Sequence, residues 1–261
     1  MIDSNSDSDS TPDLDKVWVV IPAAGMGKRM QSDVPKQYLK INGKTILEHT
    51  LNCFLFHPTV SGIIVTLNSD DIYWKTIKLD TTRGKPVYTV EGGIERSDSV
   101  MQGLDYLLMV EQLSEDNWVM VHDAARPCLT KEDIDALLSL RSNTTVGGIL
   151  GCPVKDTMKR SIPSNNTISS TEPRENLWHA MTPQLFRLGH LHQAIKYCSE
   201  KGIVITDEAS ALEATGKQVK LVEGSATNLK ITKQSDFELA SLLLSGPTRK
   251  TQSIITTRDD C

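Results

Sequence analysis

Residues Val17–Lys36 read VWVVIPAAGMGKRMQSDVPK, an apolar run that stops at a glycine-bearing turn and is followed by a cluster of cations. Val17, Val19, Val20 and Ile21 form a β-branched run suited to a buried parallel strand, and Pro22, which has no N–H, closes its ladder. Ala23, Ala24, Gly25 and Gly27 then leave no bulk over the backbone, so an anion can approach main-chain N–H groups. Between Pro22 and Lys40 the cations Lys28, Arg29, Lys36 and Lys40 face one acid, Asp33, in a chain whose net charge is -5. The stretch predicts a phosphate cradle.

Two familiar phosphate loops do not fit the spacing. A Walker A loop needs a hydroxyl after its lysine, where this chain has Arg29, and a dinucleotide fingerprint needs a third glycine where Met30 stands. The next strand arrives only near Ile63, beyond a tight βαβ unit, so a Rossmann dehydrogenase is disfavoured.

The chain has 261 residues, 39% hydrophobic and 23% charged, an ordinary composition for an α/β domain with a substantial core. Residues 1–16, MIDSNSDSDSTPDLDK, hold four Ser and five Asp and are expected to form a disordered tail. Without that tail the charge is nearly neutral, so no nucleic-acid partner is expected. No run reaches the length of a membrane span, no signal peptide is visible, and a cytoplasmic location is expected. Cys53, Cys128, Cys152, Cys198 and Cys261 show no C-x-x-C pairing and read as reduced thiols. His190 and His192 read as solvated histidines on a helix, where positions i and i+2 face apart.

Outward from the turn, apolar spacing alternates between strand and helix. Ile46, Leu47, Leu51, Phe54 and Leu55 mark a helix, Ser61–Asn68 a strand, Pro86–Val90 another, and Ser97 a cap for the helix carrying Val100, Leu104, Leu107 and Leu108. Trp118–Val121 is a strand, Thr130 starts a helix through Leu138, and Val146–Leu150 is again a strand. This alternation predicts an α/β fold with a doubly wound, mostly parallel, Rossmann-like sheet over residues 17–245. Residues 153–183 break the pattern with a polar insertion flanked by strand-like VKDTMKR and LWHAM, which reads as a protruding arm. Helices then follow from Leu188 to Gly202 and from about Asp207 to Thr215, with strands near Val219 and Leu229. Ser235 and Glu238 suggest a capping box for the last helix, and residues 246–261 a polar tail.

Ligands of such sheets gather beyond the carboxyl ends of the strands. There His122-Asp123-Ala124-Ala125-Arg126-Pro127 sets a carboxylate beside a guanidinium, which suits either Mg²⁺ shared with substrate phosphates or a structural ion pair. Gly92-Gly93, ahead of Arg96, Ser97, Asp98 and Ser99, allows close approach of a flat base or makes a plain turn. Thr206, Asp207 and Glu208 read first as a helix cap and second as residues that orient cations near the phosphates.

Eight segments in order, VIPAAGMGKRM, PKQYL, EGGIERSDSV, VHDAARP, CPVKDTMKR, LWHAMTPQLF, TDEASALE and NLKIT, resemble the 2-C-methyl-D-erythritol 4-phosphate cytidylyltransferases of non-mevalonate isoprenoid biosynthesis. The resemblance runs from Val17 to about Leu243. It implies a nucleotidyltransferase-type sheet and transfer of CMP from CTP to the phosphorylated polyol, with pyrophosphate released and a divalent cation, normally Mg²⁺, assisting. It also implies a homodimer that exchanges β-arms. By the same resemblance Pro22, Ala23, Ala24, Gly25 and Gly27 hold the triphosphate, while Arg29 and Lys36 stabilise charge in the transition state. Gly93 and Ser99 contact cytosine, Asp123 serves the metal, and Ala124 and Arg126 line the pocket. Thr157, Arg174 and Lys230 hold the methylerythritol phosphate, the first two across the dimer. Ribitol 5-phosphate cytidylyltransferases share much of this pattern, and a non-catalytic nucleotide-binding module is the rival from another class. Several relatives carry an acid after the glycine pair, where this chain has Ile94.

Overall fold

The computed structural model describes residues 16–25, 34–79, 82, 84–142 and 146–246. Expectations for residues 1–15 and 247–261, and for Gly27, Lys28 and Arg29, fall outside those residues. Along the chain β1 (Val17–Pro22) leads through β2 (Lys40–Ile41) and β3 (Lys44–Thr45) into α1 (Ile46–Leu55), then β4 (Val60–Leu67) and β5 (Val87–Glu91). There follow α2 (Arg96–Met109), β6 (Trp118–Val121), α3 (Lys131–Leu138) and β7 (Gly147–Pro153). A hairpin of β8 (Met158–Ser161) and β9 (Ile168–Glu172) precedes β10 (Trp178–Arg187), α4 (Leu188–Lys201), α5 (Glu208–Ala214), β11 (Lys220–Glu223) and α6 (Gln234–Ser245).

Seven strands make the main sheet in the order β11-β7-β10-β6-β1-β4-β5. All neighbours pair in parallel except β10, which runs antiparallel to both β6 and β7. The expected mostly parallel sheet is therefore present, with β1 between β4 and β6. Its β-branched run is explained by burial on two faces. Val17, Val19 and Ile21 pack with Leu47, Leu51 and Phe54 of α1 and with Ile134 and Leu137 of α3. Trp18 and Val20 face the opposite way, onto Val100, Leu104 and Leu107 of α2 and Leu191 and Ile195 of α4. Each such aliphatic side chain contributes about 1.5–3 kcal/mol on burial.

Caps fix where the helices begin. The Thr45 hydroxyl accepts from the Glu48 N–H while Glu48 accepts from the Thr45 N–H, and Thr130 and Asp133 repeat the exchange at α3. Asp207 caps α5 by accepting from the Ser210 N–H, as its sequence position suggests. Ser97, expected as a cap, lies inside α2, because the helix starts at Arg96 and Asp98 accepts from the Glu95 N–H. At α6 the carboxylate that accepts from the Thr232 and Lys233 N–H groups is Asp236, since the helix begins one residue before Ser235.

Three further departures shape the carboxyl edge of the sheet. Asn42 and Gly43, at φ 50° and 82°, make the tight turn of the β2–β3 hairpin, which the strand-and-helix alternation passed over. Leu229 is not in a strand; its segment follows the turn after β6 with one backbone bond, from the Ile231 N–H to the Ala125 carbonyl (2.9 Å). The polar insertion is narrower than 153–183, because β7 extends to Pro153 and Trp178 already pairs with it. What remains as the arm is the β8–β9 hairpin, a separate two-stranded sheet whose side chains are mostly exposed.

Gly103 lets α2 sit close on β1, since a Cβ there would lie 2.6 Å from Val20 Cγ1. A Gly103→Val substitution is expected to lower stability by about 1–3 kcal/mol through overpacking, read as a lower urea midpoint with an unchanged slope.

Candidate active site

The turn after β1 is held from three sides. The Ala23 N–H donates to the Thr66 carbonyl (2.9 Å), and Gln37 Nε2 donates to the Ala23 carbonyl (2.9 Å) and, more weakly, to that of Gly25 (3.4 Å). On the third side Gly92 presses against Ala24, where an added Cβ would meet the Ala24 Cβ at 2.7 Å and Ser99 Oγ at 2.8 Å. Small residues are thus required on both loops, and Pro22 pairs with Thr66 at the end of β1. Beside the turn, Ala23, Ala24, Gly25, Gln37, Asp70 and Tyr73 line a cavity of about 350 Å³.

Ser99 is buried, and its hydroxyl accepts from the Gly93 N–H (3.2 Å) and faces the Glu95 carbonyl (3.2 Å). It shapes the glycine turn. Ile94 beside it is 98% exposed.

Asp123 leaves the end of β6 and is nearly buried, yet three cations reach it. Arg96 Nε lies 3.2 Å from Oδ1, while Arg126 Nε (3.2 Å) and Lys230 Nζ (3.0 Å) share Oδ2. Burial alone would raise the Asp123 carboxyl, but Arg96, Lys230 and Arg126 outweigh it and hold the group well below the usual carboxylate range. Both guanidiniums are tied at their far ends. Arg96 meets Glu208 through NH1 (2.5 Å) and NH2 (3.2 Å), and Arg126 NH1 donates to the Asn228 carbonyl (2.8 Å). Burial pushes the Glu208 carboxyl up, with Arg96 opposing that shift. Burial also works against charge on Arg96, and Glu208 and Asp123 reverse the effect.

Lys36 joins this cluster through the backbone, since its Nζ donates to the Ile231 carbonyl (3.1 Å), one residue from Lys230. Ala124 is buried within the turn, its carbonyl 3.0 Å from the Thr50 hydroxyl. Asp123, Arg126, Lys36 and Lys230 are therefore gathered at the carboxyl edge of the sheet. Thr157 and Arg174 are exposed on the arm, where Arg174 donates to the Lys155 carbonyl, and no contact joins them to Asp123 among the described residues. His192 is partly exposed and also bonded, its Nε2 lying 2.8 Å from Asp105 Oδ1. His190 is half-buried, with burial holding its imidazole below the ordinary histidine range.

Sequence reasoning assigned no role to Arg96 or Asn228, nor to Thr182, whose hydroxyl accepts from the Asp123 N–H (3.1 Å), whereas Glu208, read as part of a cap or as an orienter of cations, does hold Arg96. The position of Arg96 just past a strand-end glycine pair was the one available signal. For a metal, no group of three His, Cys, Asp or Glu side chains stands together among the described residues. Mg²⁺ shared with phosphates takes one or two carboxylates, and Asp123 offers one, although Arg96 already engages its Oδ1 and Arg126 and Lys230 its Oδ2.

Fold and site together define a nucleotidyltransferase-type α/β protein. The model of the family described as IspD, 2-C-methyl-D-erythritol 4-phosphate cytidylyltransferase, matches residues 17–246. A relative of that name from Alteromonas mediterranea is 50% identical over 230 residues, covering 88% of this chain and 93% of its own. Another, from Pseudomonas paraeruginosa, is 50% identical over 228 residues, covering 87% and 96%. The crystal structure of the Francisella tularensis 2-C-methyl-D-erythritol 4-phosphate cytidylyltransferase superposes with a TM-score of 0.75 at 37% identity, over 87% of this chain and 99% of that one. The chain belongs to the 2-C-methyl-D-erythritol 4-phosphate cytidylyltransferase family.

Burial pushes the His122 imidazole down to about 4, so it stays neutral in the folded protein while the unfolded chain takes up a proton below about pH 6.5. Stability is therefore expected to fall as pH drops from about 6.5 towards 4, with Asp123 adding a further loss below its unfolded value of about 3.9. Urea unfolding across that range checks the sign; stability that rises on acidification contradicts it. Asp123→Asn, which leaves three cations short of a partner, is expected to cost about 3 kcal/mol at neutral pH in the same measurement.

Proposed function

We propose that this chain transfers CMP from CTP to 2-C-methyl-D-erythritol 4-phosphate, giving 4-diphosphocytidyl-2-C-methyl-D-erythritol and pyrophosphate for isoprenoid precursor synthesis. Family membership supports the reaction class. The observation that carries the reading to a site is the ring of Arg96, Arg126 and Lys230 around Asp123, beside a small-residue turn at the carboxyl edge of β1 and β6.

An oxygen of the substrate's own phosphate attacks the α-phosphorus of CTP, a P–O bond forms there, and the bond to the β-phosphate breaks as pyrophosphate leaves. That phosphate has a second pKa near 6 and is largely dianionic at neutral pH, so no protein base is needed. The protein's task is to position and neutralise charge. The turn of Ala23, Ala24 and Gly25, continued by Gly27, cradles the triphosphate, the Ala23 N–H being taken by Thr66. Arg29 and Lys36 meet the charge that builds on the α-phosphate and the leaving pyrophosphate. Gly93 offers backbone groups to cytosine over a turn braced by Ser99. Arg126 and Lys230 bind the polyol phosphate.

A divalent cation, normally Mg²⁺, would be held by Asp123 together with the triphosphate and would supply further charge neutralisation. In a homodimer the exposed arm of one chain carries Thr157 and Arg174 to the site of the other. The reaction belongs in the cytoplasm; no helix among the described residues is long and apolar enough to cross a membrane.

The test is pyrophosphate release from CTP with each polyol phosphate added in turn. Release with methylerythritol phosphate and not with ribitol 5-phosphate is expected, and the reverse preference overturns the substrate assignment. Arg29→Ala and Lys36→Ala are each expected to lower kcat by about 10²–10³ with folding intact by circular dichroism. For arm exchange, mixing inactive Arg29→Ala and Arg174→Ala chains should recover activity, because one site of each mixed dimer is then whole. No recovery after verified subunit exchange rules the crossing out.

A further inference from the structure

We propose that His122 is a positioning residue that sets the turn carrying Asp123 and Arg126 against β10. The inference rests on the reading of this turn as the transferase centre. His122 is fully buried, with the ring of Phe54 edge-on to it at 5.1 Å. Packing alone would be served by a phenyl ring, yet both imidazole nitrogens are engaged.

The polarity of every bond follows from the partners. Nε2 faces the Arg126 carbonyl at 3.1 Å, and a carbonyl can only accept, so Nε2 carries the hydrogen. Nδ1 then has a lone pair and accepts from the Thr182 hydroxyl at 3.0 Å. The same Thr182 oxygen accepts from the Asp123 N–H at 3.1 Å. One neutral tautomer thus fixes the carbonyl of Arg126 at one end of the turn and, through one hydroxyl, the amide of Asp123 at the other.

Thr182 is placed for this by a slip in register between β10 and β7 from Ala180 to Gln184, a bulge that re-aims the side chains within it. Asn228 closes the loop: its Nδ2 donates to the Thr182 carbonyl (2.7 Å), and its own carbonyl receives Arg126 NH1 (2.8 Å). His122 itself contacts none of the anion-binding cations' charged ends in these bonds. Its effect on the reaction passes through where Asp123 and Arg126 stand.

The experiment compares His122→Phe, Thr182→Val, Thr182→Ser and the double variant His122→Phe/Thr182→Val on the full chain. It reads kcat and KM per folded molecule, together with calorimetric binding of inorganic pyrophosphate. H122F and T182V are each expected to lower kcat/KM by about a hundredfold, the scale of a 1 Å misplacement, while T182S stays within about threefold of wild type. Because both break one chain of bonds, the double variant should fall to about the level of the worse single one. Wild-type kcat/KM in folded H122F, an equal loss in T182S and T182V, or losses that multiply would each overturn the proposal. Should H122F not fold, the T182V and T182S pair decides. A wild-type chain that releases no pyrophosphate sinks the reaction assignment instead; the positioning role is then judged by pyrophosphate affinity, expected about tenfold weaker in T182V than in T182S, and equal affinities overturn it.

Discussion

A carboxylate withdrawn from water persists only with compensating charge, and Asp123 has three cations within reach of two oxygens. The rest of the carboxyl edge is arranged around that fact. Arg96 can serve Asp123 because Glu208 holds its other face, and Arg126 can because Asn228 takes its NH1. Of the three, Lys230 is the most exposed, at 39% of its side chain.

β10 makes this arrangement possible by running against its neighbours. Its outward end supplies Thr182 to the turn after β6, and two residues on, Gln184 Nε2 donates to Asp207 (2.9 Å) while its Oε1 accepts from the Ala209 N–H (2.9 Å). The start of α5, and with it Glu208, is therefore registered by the same strand that registers Asp123. A parallel strand in that slot would enter the carboxyl edge at its other end.

The sheet was legible wherever burial on two faces forces long apolar runs, as in β1 and β4, and wherever a cap sits one turn before an apolar stripe, as at Thr130. Elements decided by a single contact were not. Leu229 looks like a strand residue in isolation, and only the Ala125 carbonyl shows that its segment follows a turn. The site divides the same way. Asp123, Arg126, Lys36 and Lys230, which the fold gathers at one edge, could be singled out because they stand in local patterns or in a family's motifs. Arg96 and Glu208 are 112 residues apart, and Arg126 and Asn228 are 102 apart, so no local pattern could disclose either pairing. Ser99 also has a local part that its motif did not disclose, since its hydroxyl accepts from the Gly93 N–H.

The unequal exposure of the cluster has a consequence for ionic strength. Screening at physiological salt acts over about 8 Å between charges that water can reach and much less on charges it cannot. Asp123 and Arg126 are about 10% exposed at their side chains, whereas Arg96 and Lys230 are 32% and 39% exposed. Rising salt will weaken the pull of Lys230 and Arg96 on Asp123 well before it disturbs the contact between Asp123 and Arg126 beneath.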